Sequence, residues 1–159
     1  MCLRIWTLDG DTWQDHVKTA EKDITVYKVV QYNGMPGFYT SLYWSFKYED
    51  GKTYRFDGIA TWPDAYIREV NNVHHIIEKG FHSYISEQVA FGEMKHVLLD
   101  VYSSMTYAYR LRVIECKIPA GSKYIYGNDF DVISDNLAVV SEIPFDYQKF
   151  EKKIDVWKV

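Results

Sequence analysis

The sequence predicts an α+β fold: a strand-rich, mainly antiparallel sheet with one principal helix over about residues 87–102. Three observations predict it. Short runs rich in β-branched and aromatic residues alternate with turn clusters such as NGMPG, DG and PAG. Only one long stretch repeats its apolar residues at helical spacing. The chain has 159 residues and is 47% hydrophobic, enough for a single globular domain over 1–159 and too short for two ordinary ones.

Taken in order, Leu3–Leu8 reads as a short strand closed by the turn pair Asp9-Gly10. Trp13, Val17 and Ala20 lie at helical spacing and predict a short N-terminal helix. ITVYKVVQ, Ile24 to Gln31, is a buried strand by composition. Asn33 to Gly37 is a turn. YWSFKY and TYRF flank Asp50-Gly51 and read as an aromatic hairpin over Tyr43–Phe56, either core or an exposed interaction surface. Ala65 to Val73 reads as one or two helical turns, and His74 to Ile77 opens the next strand.

Ser86 suits a helix N-cap, with Glu87 and Gln88 in the first turn, where the helix dipole favours acid. Ala90, Phe91, Met94, Val97, Leu98 and Val101 then repeat at helical spacing, which makes this the principal helix and its apolar face core. Tyr109–Ile118 is a strand, Pro119-Ala120-Gly121 a turn, and Lys123–Tyr126 and Val132-Ile133 flank a Gly/Asn/Asp turn. Leu137–Ile143 is the last clear strand. Tyr147, Phe150 and Ile154 admit a short C-terminal helix, although KIDVWKV reads equally as a strand.

Composition excludes several functions. A net charge of −4 is wrong for a general nucleic-acid binder, which shows a basic face. No apolar run reaches membrane-spanning length and no signal peptide is evident, so the expected setting is cytosolic, away from membranes. Cys2 and Cys116 read as reduced thiols, and no Cys/His cluster has zinc spacing, so no metal is expected. Phosphate-binding, dinucleotide-binding, zinc-protease and serine-hydrolase signatures are all missing, which leans against an enzyme and implies no resident cofactor.

The residues worth weighing gather around GFHSYIS, Gly80 to Ser86. Alternation along a strand puts Phe81, Ser83 and Ile85 on one face and His82, Tyr84 and Ser86 on the other, polar face. That face, just before a helix N-terminus, suits an anion or nucleotide. The blander reading of His82 is a side chain that satisfies a backbone carbonyl. With Tyr27 and Lys28 from the early strand, the candidate ligand-binding set is Tyr27, Lys28, His82, Tyr84 and Ser86, with Arg110 or Arg112 meeting a phosphate.

Four stretches form a distinctive set: the N-terminal MCL, ITVYKVV, GFHSY, and CKIPAGSKYIYG followed by ISDNLAVVSEI. Together they resemble a family of small proteins of phages and their gut-bacterial hosts, over Met1 to about Ile143. The resemblance implies one intact domain in a phage-related, cytosolic setting and supplies no catalytic residues.

A second resemblance is to the ADP-ribosyltransferase fold. Tyr27-Lys28, then Ser83 and Ser86, then Glu142 follow the order of that fold's strand-borne residues. The resemblance implies an NAD-acting site in which Glu142 steers the ribose and His82 or Tyr84 positions the substrate. Position 28 is Lys where the family has Arg or His, which loses a bidentate grip, and Val140 stands where the family has Glu or Gln.

Three functional expectations follow. The first is a small phage-type or mobile-element-type protein that sequesters or blocks a host protein or a nucleotide-like signal through an aromatic-rich site. The second is an enzyme acting on NAD or another nucleotide, with Lys28, His82, Ser83 and Glu142 converging in one pocket, and His82, Ser83 and Glu142 as its catalytic residues. The third is an accessory structural protein that self-associates.

Overall fold

The computed structural model describes residues 3–8, 13–42, 46–69, 72–100, 110–127 and 130–144. The chain opens with strand β1 (Leu3–Leu8), a 3-10 turn (Trp13–His16) and the two-residue β2 (Lys18–Thr19). Next come β3 (Ile24–Tyr32), β4 (Phe38–Ser41), β5 (Lys47–Glu49) and β6 (Thr53–Arg55). Then follow β7 (Ala60–Glu69), β8 (Asn72–Lys79), β9 (Phe81–Tyr84) and the helix α1 (Glu87–Asp100). After it run β10 (Leu111–Ile118), β11 (Lys123–Tyr126), β12 (Asp131–Ser134) and β13 (Asn136–Glu142).

The fold is α+β with antiparallel pairing throughout the described ladders. The large sheet runs β2-β11-β12-β9-β3-β10-β13-β6, with β4 branching from β3 and β5 from β4. The small sheet is β1-β8-β7. One residue, Gly80, joins β8 of the small sheet to β9 of the large one. It sits at φ +138°, and a Cβ there would lie 2.3 Å from Ile133 Cγ2, so only glycine fits.

The large sheet curls. β12 and β13 are joined by Asp135 alone, although β9, β3 and β10 lie between them in the sheet. The two ends must therefore bend toward each other. Asp135 holds the corner. Its carbonyl accepts from Phe56 N at 2.7 Å, and its carboxylate accepts from Lys123 N at 2.9 Å and from Asn136 Nδ2 at 2.7 Å. The turn at Asp50-Gly51 closes a further side: Gly51 N donates to Val139 O and Val139 N to Lys52 O, where the β10–β13 register slips.

The concave face is the main core. Val26 and Val30 from β3, Ile114, Cys116 and Ile118 from β10, and Leu137 and Val139 from β13 are buried there. Phe46, Tyr48, Tyr54, Phe56 and Phe81 fill its centre, with the Phe56 and Phe81 ring centroids 4.4 Å apart. Of the aromatic hairpin, the described part is therefore core, while Tyr43 and Trp44 lie outside the described residues. On the convex face α1 lays Ala90 and Met94 against Val29, Tyr84, Leu111 and Val113. Ser86 caps the helix, its Oγ accepting from Val89 N at 3.2 Å.

Several expectations need correction. The turn at Asp50-Gly51 forms, with Lys52 N donating to Glu49 O and Gly51 at φ +78°. Its flanking strands do not make a hairpin: β5 pairs with β4 and β6 with β13. The turn is a corner between two ladders, because pairing with longer neighbours outweighs local closure. The stretch from Ala65, expected as helical turns, is strand: β7 reaches Glu69 and pairs with β8. The ladder breaks between Thr61 and Tyr66, where Pro63 has no N–H to donate. The N-terminal helix is only the four-residue 3-10 turn. It places Trp13 against Ile125 and Ile133. α1 is described to Asp100, and the expected C-terminal helix and Cys2 lie outside the described residues.

Candidate functional site

The register settles which candidates can meet. Tyr27 pairs with Tyr84 across β3–β9, so these two share the convex face. Alternation puts His82 with them and puts Lys28 and Ser83 on the concave face. Lys28 pairs with Ile114, and Ile114 pairs with Glu142. Ser83, Lys28, Ile114 and Glu142 thus form one row across the concave side of β9, β3, β10 and β13. His82 is on the far side of the sheet. Ser83 and Glu142 are three strand spacings apart, roughly 14 Å along the sheet. His82 therefore does not share a face with Ser83, Lys28 and Glu142, as the NAD-acting reading requires.

The five ligand-binding candidates divide likewise. Tyr84 is buried under α1, Tyr27 packs half-buried beside it, and Ser86 is spent on the helix cap. The supposedly polar face of GFHSYIS is thus a packing face, since α1 folds back over the strand that precedes it. Burial lifts the Tyr27 phenol above its usual range, with Glu115 and Glu87 adding to the effect.

Lys28 is the unusual member. It lies between Val26 and Val30 on the buried side of β3 and is only 9% exposed. It occupies the fork where β3 changes partner from β9 to β4, so the His82 carbonyl on β9 accepts from the Lys28 ammonium. The Tyr48 ring lies 5.4 Å from Nζ. Burial lowers the Lys28 pKa to about 8, partly offset by the Cys116 thiol. Burial pushes Cys116 up to about 12, with Lys28 acting against it. Tyr48 is also raised, first by burial. Ser83 is 1% exposed, and its hydroxyl has no hydrogen-bond partner among the described residues.

An amine with a pKa near 8 can act as a base or nucleophile if a substrate reaches it. Lys28 and Ser83 are instead packed inside the curled sheet. Glu142 is engaged elsewhere. Its carboxylate meets Arg112 Nε at 2.6 Å, and the Arg112 guanidinium stacks 5.1 Å from the Tyr32 ring centre. Arg112 also donates to the Leu111 carbonyl at 2.9 Å, so it is not a spare phosphate ligand. Tyr39 hydrogen-bonds to the Asp50 carboxylate and is raised by burial first and Asp50 second. Among the described residues no three His, Cys, Asp or Glu gather as a metal site, and no helix is long and apolar enough to cross a membrane.

The sequence reading missed Tyr48, Cys116 and Arg112 as neighbours of these candidates. One signal was available for Lys28. In ITVYKVVQ both alternating registers are apolar, so a lysine there has no solvent face to take. The reading also missed a group of exposed apolar side chains at one end of the sheet. Phe130 is 63% exposed and sits at φ +60°. Its carbonyl accepts from Ile85 N at 3.0 Å, and Ile85 is itself exposed. Tyr126, exposed as the last residue of β11 with its ring edge-on to Tyr124, is followed by Gly127, whose N–H donates to Asp131 O at 2.9 Å. No protein-family model, curated protein or solved structure matches the chain.

Proposed function

We propose that the chain is a cytosolic binding protein of phage or mobile-element type that blocks a host protein, which it meets at the end formed by Tyr126, Ile85 and Phe130. One observation carries this reading. Lys28, Ser83, Tyr84, Ser86, Arg112 and Glu142 are buried or engaged in structural contacts, whereas Phe130 and Ile85, joined by a backbone hydrogen bond, stand exposed beside the N-terminus of α1, and Tyr126 is exposed at the end of β11. Aromatic anchors of this kind dominate protein interfaces. A phenylalanine held at positive φ, a strained setting for a residue with a Cβ, is the pattern expected where position serves contact rather than stability. A nucleotide is the less favoured partner, because Lys28 and Arg112 are engaged, and of the cations named for a phosphate the exposed Arg110 is left.

The test is site-specific photo-crosslinking in host cells, with the reactive side chain at position 130 and, as control, at the exposed Lys22. The reading expects one host protein cross-linked from 130 and not from 22, and its loss when Ile85→Glu is added. Equal labelling from both positions would refute it. So would a several-degree rise in Tm with NAD, ADP-ribose, a mononucleotide or a cyclic oligonucleotide, which would return the function to nucleotide binding.

A further inference from the structure

The concave core holds a cationic side chain with no anionic one paired to it. Lys28 is 9% exposed and Ser83 1% exposed, and both lie on the buried face of the curled sheet. The Tyr27↔Tyr84 pair sets Lys28 opposite Ser83 on the neighbouring strand. An ammonium carries three N–H groups. One N–H of Lys28 donates to the His82 carbonyl, and among the described residues no carboxylate pairs with the ammonium. Glu142, the carboxylate of the same row, is engaged by Arg112. Two titratable side chains come near Lys28 from the strands packed around it, Cys116 from β10 and Tyr48 from β5. Burial pushes the Cys116 thiol up to about 12 and raises the Tyr48 phenol as well, so both are neutral. The Ser83 hydroxyl has no hydrogen-bond partner among the described residues. Buried charges are normally paired and buried hydroxyls normally bonded, so these two donors, opposite each other across β3 and β9, call for a shared acceptor.

We infer that Lys28 and Ser83 bind a small monovalent anion of chloride size inside the curled sheet, the anion accepting one hydrogen bond from the Lys28 ammonium and one from the Ser83 hydroxyl. The surroundings select this ligand. A water molecule would satisfy the hydroxyl and leave the charge uncompensated. A phosphate or carboxylate brings several oxygens that each need a donor. The neighbours on that face, Val26, Val30, Phe81, Ile114 and Val132, supply none from their side chains. A halide needs only the two donors present. The cost of desolvating an ion falls as the ion grows, which favours chloride and bromide over fluoride. The anion binds the charged amine, so pH must control it. Burial sets the Lys28 amine near 8, and a bound anion moves it upward. The stabilisation by the anion is therefore present at neutral pH and is lost as pH rises through that folded value. This site goes beyond the proposed binding function: it lies in the core, away from the Phe130 end, and ties the stability of the fold to halide concentration.

The experiment compares thermal unfolding in sodium chloride and in sodium gluconate at matched ionic strength, at pH 6.5 and at pH 10. At pH 6.5 chloride is expected to raise Tm by several degrees along a saturable single-site curve, bromide at least as much and fluoride less. At pH 10 the advantage of chloride should be largely gone. Lys28→Met should abolish it, and Ser83→Ala should weaken the apparent affinity by ~10-fold, the loss of one hydrogen bond to an ion. Broadening of the chloride NMR line reads binding in the folded protein, and it should follow the same order across wild type, Ser83→Ala and Lys28→Met. If Lys28→Met fails to fold, the line width of wild type and Ser83→Ala between pH 6.5 and pH 10 still decides, because the α-amino group titrates in that window without depending on Ser83. Equal Tm in chloride and gluconate at pH 6.5 would overturn the inference. So would a chloride effect of the same size in wild type and Ser83→Ala, the mark of a general salt effect.

Discussion

Replacing Lys28 by methionine tests the concave core directly. The amine titrates near 8 in the folded protein against 10.5 in its ordinary state, because burial disfavours the charged form. Below pH 8 both folded and unfolded chains hold the proton, and the folded state bears the full desolvation cost. That cost is about 3 kcal/mol at ~1.4 kcal/mol per pH unit. Between pH 8 and 10.5 the unfolded chain binds more protons, so the cost is relieved as pH rises. Methionine has nearly the same shape and removes the titration. It also leaves the His82 carbonyl without the Lys28 donor, a loss of about 1–3 kcal/mol, so the two effects nearly cancel at pH 7.

The decisive quantity is the difference between the two proteins as pH changes. Wild type should gain about 1 kcal/mol on Lys28→Met between pH 7 and pH 9, a relative Tm shift of a few degrees for a chain of this size. Measuring the difference matters because Cys116 works the other way. Its folded pKa is raised to about 12 from 9.0, so the stability it contributes falls as pH rises above 9. That loss is common to both proteins and cancels. Urea unfolding of both at half-unit steps from pH 6.5 to 9.5 provides the data. Parallel stability curves would refute the reasoning, since they would mean that Lys28 reaches water in the folded state.

Three further outcomes follow from the same geometry. Gly80→Ala forces a Cβ against Ile133 and a φ that alanine resists. It should cost ~2–4 kcal/mol in urea unfolding, and adding Ile133→Ala should recover only the steric part; additive costs would show that the contact does not exist. Ser86→Ala removes the cap of α1 and should cost about 1 kcal/mol, whereas Ser86→Asp should be nearly neutral. Phe130→Asn relieves positive-φ strain and should stabilise the fold by ~0.5–1 kcal/mol by thermal unfolding, while abolishing cross-linking to the host partner if the proposed surface is right.

Local signals in the sequence carried the element types where one pattern dominated. ITVYKVVQ became β3 and LRVIECKI β10, because β-branched runs bounded by turns have few alternatives. Ser86 and the apolar repeat after it became a capped helix, because the cap and the period are both local. At Gly80, by contrast, the side chain that excludes a Cβ, Ile133, lies far away in sequence.

What remained hidden was decided by partners distant in the chain. Nothing near Asp50-Gly51 shows that its two strands leave for different ladders, since β4 and β13 make that choice. The split of His82 from Ser83 and Glu142 needed only alternation for the first pair. For Glu142 it needed the register of β3, β10 and β13. The burial of Lys28 depends on the sheet curling over it, a result of β12 and β13 meeting at Asp135. By itself the sequence determined an antiparallel α+β chain, one helix and its cap, because propensity, capping and periodicity act within a few residues. Only the tertiary structure decided which side chains share a face and which end of the sheet stays exposed, because those are set by pairings across most of the chain's length.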